Sequence, residues 1–271
     1  MKTRVIAALI LLPLLLAVVL FLPKIFTGIL FGLMAAIGAR ELLKGTGLIT
    51  HTRFVIYAMI MAFFVVVWCC VLSVYMLVLF GTLAFFCVLF GEFLFCHEEI
   101  RFEELAFTFV AGLIIPFLLG AVVRLHNWSS GNFLILLPFV IAFLSDTGAY
   151  FAGRAWGKHK LAPVISPNKT VEGLFGGLAG AVIGVAVYCI TLQHFFHFAV
   201  NYWYVPIYGI FGSLGAVFGD LCFSAVKRKT GIKDYGNLIP GHGGILDRFD
   251  SMIIVAPLVE ILMLLIPMVV K

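Results

Sequence analysis

All five aspartates of the 271-residue chain lie after residue 145, at Asp146, Asp220, Asp234, Asp247 and Asp250, while the first half uses only glutamate. Asp247 and Asp250 stand at i, i+3, a spacing that puts both carboxylates on one face of a helix. Asp220 lies seven residues before Lys227, and Asp146 eight before Arg154. At about 1.5 Å of rise per residue, each sits on the order of 10 Å below a basic rim. Two separate helices therefore offer a carboxylate at one level, so Asp146, Asp220, Asp247 and Asp250 can converge beside a cluster of cations. Oxygen-only ligands of this kind suit a hard cation such as Mg2+, with a second cation as an option. Each residue alone has a plainer role, because a carboxylate at a helix N-terminus offsets the dipole and a buried one can pair with lysine. The four together favour a metal site.

Two polar loops flank these positions. Residues 224–250 read SAVKRKTGIKDYGNLIPGHGGILDRFD. Asp220, Ser224 and Lys227 fall at i, i+4 and i+7 on one helix face. The run Pro240-Gly241-His242-Gly243-Gly244 then precedes the last helix. Glycines such as Gly243 and Gly244 let backbone N–H groups approach an anion, and the helix N-terminus that follows favours negative charge. An ordinary basic loop would explain the lysines but not the ordered glycine-then-aspartate run. The Walker pattern G-x-x-x-x-G-K-[ST] is absent. In the second loop, Ser166-Pro167-Asn168-Lys169-Thr170-Val171-Glu172-Gly173, Lys169 and Thr170 can hold phosphate and Glu172 can orient Lys169. The simpler reading is a helix start with an acidic first turn.

The elements that carry these residues follow from composition. Hydrophobic residues make up 63% of the chain and charged residues 11%, against roughly 25% charged in soluble domains. There are 28 phenylalanines, and mean hydropathy is +1.16. These values exclude a soluble enzyme, a disordered chain and a nucleic-acid-binding domain, and they leave nucleic acid out as a partner. An all-α polytopic integral membrane protein is expected, with the lipid bilayer as its solvent. A span needs about 20 apolar residues, and charge-free stretches of 38 residues at 54–91 and 47 at 173–219 each hold two. Adding 5–22, 25–43, 105–123, 133–154 and 251–270 gives about nine transmembrane helices. With the N-terminus in the cytosol, all but Lys24, Arg124 and Lys271 of the 18 Lys and Arg residues fall on the cytosolic side, as the positive-inside rule requires. The basic start of the chain resembles a signal peptide but lacks an A-x-A-like cleavage site and leads straight into a second span, so a membrane helix is expected. Residues 1–130 then form a helical scaffold, and 131–271 a catalytic region with cytosolic loops at 155–173 and 227–250. No separate soluble domain and no internal repeat is expected. The six cysteines show no C-x-x-C spacing and read as small buried apolar side chains. The acidic loop 96–104 reads as a solvated face.

The stretch S-x-x-K-R-x(4)-K-D-x-G-x-x-[LIF]-P-G-H-G-G-[ILM]-x-D-R-x-D at 224–250 resembles the signature of the phosphatidate cytidylyltransferase (CDP-diacylglycerol synthase) family. The elements S-P-x-K-[TS]-x-E-G at 166–173 and D-[ST]-x-A-Y at 146–150 match as well. The resemblance implies a nucleotidyltransferase of class EC 2.7.7.41 with Mg2+: CTP and phosphatidate give CDP-diacylglycerol and pyrophosphate. It implies a homodimer in the bacterial inner membrane. It also implies that Asp220, Asp247 and Asp250 serve the metal–triphosphate centre. Lys227, Arg228, Lys233, His242, Arg248 and Lys169 would hold phosphates, with Ser166, Thr170, Ser224, Asp234, Gly243 and Gly244 as further substrate-binding positions. The residues suit this chemistry. A phosphate monoester is already anionic near neutral pH, so the obstacle is bringing one polyanion to another, and charge neutralisation outweighs any need for a base. His242 can donate a proton to pyrophosphate or simply hydrogen-bond within its loop. Two other readings remain. A CTP-dependent polyprenol kinase would release CDP. An ion-coupled transporter, for which Glu260 within the last span argues, would place its site near the midplane.

Overall fold

The computed structural model describes residues 13–70, 75–128, 130–238 and 243–270. It is almost entirely helical, with residues 13–21 helical and the following long helices thereafter: α1 (Lys24–Gly45), α2 (Thr52–Trp68), α3 (Tyr75–Phe95), α4 (Phe102–His126), α5 (Gly131–Trp156), α6 (Val171–Phe196), α7 (Val205–Lys229), the single turn α8 (Leu246–Phe249) and α9 (Met252–Leu265). The described residues also hold two small antiparallel pairs, β1 (Lys160–Ala162) with β2 (Ser166–Thr170), and β3 (Ala199–Val200) with β4 (Val269–Val270). Among the described residues, six helices are long and apolar enough to cross a membrane: α1, α3, α4, α5, α6 and α7. Of the other expected spans, α2 has 17 residues and α9 has 14, and the first falls partly on residues outside those described.

The chain divides into two compact units, Met1–Asn127 with Lys229–Phe249, and Trp128–Arg228 with Asp250–Lys271. In the first, α1 and α2 pack along small residues. A Cβ on Gly32 would come 3.1 Å from the Phe63 carbonyl oxygen. Phe54, Met61, Val65, Phe85, Leu89, Ile100 and Leu105 form a buried cluster between α2, α3 and α4. The π turn Val110–Ile114 in α4 precedes Pro116, whose missing N–H leaves one helical bond unmade. Glu104 departs from the expectation of a solvated loop. It is 1% exposed, and its oxygens accept from the Thr50 hydroxyl (2.7 Å) and the Thr50 amide (3.3 Å). Glu92 likewise holds Tyr57 (2.6 Å) and Arg53 (2.6 Å).

In the second unit α5 crosses α6 on glycines from both sides. A Cβ on Gly180 would stand 2.5 Å from the Leu144 carbonyl oxygen and 3.2 Å from the Gly148 Cα. Close backbone approach through small residues is how helices gain packing where lipid offers no hydrophobic contrast. The Ser145 and Ser213 hydroxyls, both fully buried, hydrogen-bond at 2.7 Å and join α5 to α7. The Tyr208 hydroxyl donates to the Ile266 carbonyl at 3.0 Å, which secures the end of α9. Gly180→Val forces the two helices apart. Overpacking of this kind costs about 1–3 kcal/mol, which corresponds to a melting temperature lower by about 2–12 °C for a chain of this size. Thermal unfolding in detergent micelles reads it directly, and an unchanged midpoint would show that the crossing yields freely.

Candidate functional site

Helices α5 and α7, the β1–β2 hairpin and the start of α9 bring one set of residues together in the second unit. The hairpin is built by its own polar groups. Lys160 pairs with Thr170 and Ala162 with Ser166. Glu172 accepts the amides of Lys158 (3.1 Å) and His159 (3.2 Å) and pairs with His159 Nδ1 at 2.6 Å. The Thr170 hydroxyl caps α6 by accepting the Gly173 amide at 3.1 Å, and Arg228 Nε donates to the Ile165 carbonyl at 3.1 Å. These contacts revise two sequence expectations. Glu172 shapes the hairpin through His159 rather than orienting Lys169, and the Thr170 hydroxyl is engaged in a helix cap.

What the hairpin presents is Lys169, which forms an ion pair with Asp220 of α7. The Ser224 hydroxyl, one turn on, donates to the other Asp220 oxygen at 3.2 Å. The Lys169 and Asp220 side chains are 23% and 28% exposed, so the pair sits at a surface that a ligand can reach. Gly219 lets α7 lie against the start of α9, because a Cβ there would be 2.7 Å from the Asp250 carbonyl oxygen. Asp250 is consequently held beside Asp220. It is 8% exposed, and its Oδ1 accepts the Ser251 amide at 2.7 Å. Burial, and then the neighbouring charge of Asp220, push its carboxyl up to about 7, with Lys227 pulling the other way and Asp146 adding to the rise. Asp146, exposed on α5, lies within electrostatic reach of both Lys169 and Asp220. Three of the four aspartates singled out by spacing, with Lys169, Ser224 and Lys227, thus form one cluster. Ser166 lies on β2.

The fourth, Asp247, belongs to the first unit. It is 9% exposed, and its Oδ2 accepts the amides of Tyr235 (2.8 Å) and Gly244 (3.0 Å). Gly243 has φ +82°, and a Cβ there would stand 3.0 Å from Asp247 Oδ2 and 3.4 Å from Asp234 Oδ1, so both backbone and space call for glycine. The Gly244 amide, expected from the sequence to face an anion, is turned onto Asp247. Lys233, Asp234 and Arg248 are exposed. His242 lies outside the described residues. Sequence reasoning passed over Glu41, whose carboxylate accepts the amides of Ile245 (3.1 Å) and Leu246 (2.9 Å). The signal was a charged residue late in an otherwise apolar helix, masked by Arg40 and Lys44 on either side.

Among the described residues no group of three or more His, Cys, Asp or Glu side chains is placed to close around one metal ion. Mg2+ does not need such a cage, since it keeps several waters and takes one or two carboxylates together with substrate phosphates. The all-oxygen donor set of Asp146, Asp220 and Asp250 is compatible with that mode.

The model of the cytidylyltransferase family matches residues 2–266. The chain belongs to the cytidylyltransferase family. Phosphatidate cytidylyltransferases of Staphylococcus epidermidis and Staphylococcus aureus are each 48% identical to it over 136 residues, and that of Staphylococcus saprophyticus is 50% identical over 136 residues. The matched stretch is 50% of this chain and 51% of each relative, so the chain spans about half the length of the curated relatives it matches. Within the second unit, the cluster just described brings carboxylates and cations together.

Proposed function

We propose that the protein is a phosphatidate cytidylyltransferase, joining CTP and phosphatidate to give CDP-diacylglycerol and pyrophosphate. One observation carries the reading. Lys169, from one signature element, is paired with Asp220 of α7, beside Asp250 and Lys227 of the other. No nucleophile–base pair is needed, because a phosphatidate oxygen is already anionic near neutral pH. That oxygen bonds to the α-phosphorus of CTP as the bond to the bridging oxygen of pyrophosphate breaks. Lys169, released from Asp220 by an incoming phosphate, and Lys227 offset the charge brought together. Asp146, Asp220 and Asp250 are the residues that would hold Mg2+, which supplies charge neutralisation between phosphates when bound. The signature resemblance assigns Asp234, His242, Gly243 and Arg248 to the nucleotide, and Asp247 holds the described part of their loop through the amides of Tyr235 and Gly244.

The reading extends to a bacterial inner-membrane homodimer with its site at the cytosolic face. Support for the membrane face comes from the bias of Lys and Arg toward one side that the nine-span expectation gives and from the chemistry of the substrates, a lipid headgroup and a cytosolic nucleotide. The test is labelled CTP with phosphatidate in detergent, with and without Mg2+. CDP-lipid and pyrophosphate formed only with the divalent cation are expected. Release of CDP would point instead to a lipid kinase, and ion flux in liposomes without CTP turnover to a transporter.

A further inference from the structure

We propose that Glu41 is a positioning residue for the glycine loop of the nucleotide signature, anchoring from α1 the segment that carries Asp247 and Arg248. The inference rests on the phosphatidate cytidylyltransferase reading above and adds a residue outside all three signature elements. Glu41 is 4% exposed near the end of α1. A carboxylate in such a place is costly unless its oxygens are satisfied by donors. Here Oε1 accepts the Ile245 amide at 3.1 Å and Oε2 accepts the Leu246 amide at 2.9 Å. Those N–H groups open the turn α8, where the backbone has no helical partner of its own.

The loop is shaped to receive the carboxylate. A Cβ on Gly236 would stand 2.6 Å from Glu41 Cδ, and one on Gly244 would stand 2.5 Å from it. The neighbouring amides are aimed as a set, that of Gly244 at Asp247 and those of Ile245 and Leu246 at Glu41. Glu41 and Asp247 therefore divide three consecutive amides between them, and together they fix the backbone from which the Asp247 and Arg248 side chains project. The turn is a single four-residue helix, too short to hold its geometry unaided. An external carboxylate supplies what the local sequence lacks. Misplacement by about 1 Å of groups that orient a substrate can cost on the order of a hundredfold in rate.

The experiment compares Glu41→Gln, Glu41→Asp and Gly236→Ala with the wild type in detergent. Steady-state kinetics with CTP and phosphatidate are read alongside hydrogen exchange of peptides covering 31–42 and 243–249. Glutamine keeps the volume but turns an NH2 toward one of the two amides. The expected result for Glu41→Gln is a kcat lower by at least tenfold with phosphatidate KM unchanged, and exchange faster by at least tenfold in 243–249 but unaltered in 31–42. Aspartate should restore part of kcat. Gly236→Ala, which pushes on the carboxylate without removing it, should reproduce the glutamine pattern. Wild-type kcat in both Glu41→Gln and Gly236→Ala would overturn the proposal. So would loss of activity accompanied by equal loss of protection in 31–42, which marks a general stability role. A wild-type protein that makes no CDP-lipid would overturn the functional reading instead, and the exchange pattern would then decide the anchoring by itself.

Discussion

Asp250→Asn is expected to lower CDP-lipid formation by about a hundredfold or more, the scale at which single electrostatic groups act in such sites, yet to leave a protein at least as heat-resistant as the wild type. The two halves of this expectation have one cause. Asp250 is buried beside Asp220, and its carboxyl is pushed up to about 7 by burial first and by the Asp220 charge second. Its pKa in the folded protein is therefore above the unfolded value of about 4. An acid shifted in this direction holds its proton in the folded state after the unfolded chain has released it. Stability then falls as pH rises from about 4 to about 7 and is level above that. Asparagine has nearly the same shape and no charge to bury, so the variant loses that component of the pH dependence. Melting temperatures in detergent at pH 5, 6, 7 and 8 check the stability half. Activity at saturating CTP and phosphatidate checks the other. A divalent cation should raise the wild-type midpoint at pH 8 and should do little for the variant. Full activity in Asp250→Asn would remove this carboxylate from the reaction centre.

Lys169→Ala is expected to reduce kcat/KM by about 10–100-fold, mainly through weaker handling of CTP or phosphatidate. The lysine reaches Asp220 from a hairpin whose own bonds are made by Glu172, Thr170 and Arg228, so its removal leaves the hairpin intact. Asp220 keeps the Ser224 hydroxyl as a partner but loses its counter-charge. Ammonium-to-phosphate contacts are charge-assisted, and they are stronger than neutral ones. Lys169→Arg should recover only part of the loss, since a planar guanidinium cannot occupy the place of a compact point charge. The separate KM values for the two substrates show which phosphate Lys169 serves. Unchanged kcat and unchanged KM for both would reject the role.

Much of this was legible in the residues. Charge-free stretches announced the long apolar helices, and the depth comparison of Asp146 with Asp220 anticipated that both would bear on one cluster. The i, i+4 relation of Asp220 to Ser224 appears as a hydrogen bond. What could not be read were the contacts between distant segments. Spacing along the chain says nothing of whether a carboxylate will meet a cation or a backbone amide. Asp247 and Asp250 are three residues apart, yet one accepts loop amides within the first unit and the other sits in the acidic cluster of the second. Glu104 looked like a surface charge, and Glu172 a partner for Lys169, because the residues they meet, Thr50 and His159, carry no distinguishing pattern. The glycines of α5 and α6 gave no sign of how close the two backbones come, since a small residue in a membrane helix marks a contact only once the neighbour is known.

The bond from Glu41 to Ile245 spans 204 residues of chain. A ribosome adding about 5–20 residues per second needs about 10–40 s to cover that distance. During this interval the carboxylate has been delivered to the bilayer while the amides that will satisfy it do not yet exist. Until then the Glu41 carboxylate needs water or a proton in place of those amides, and the first unit completes its hydrogen bonding only after residues 245 and 246 have been made.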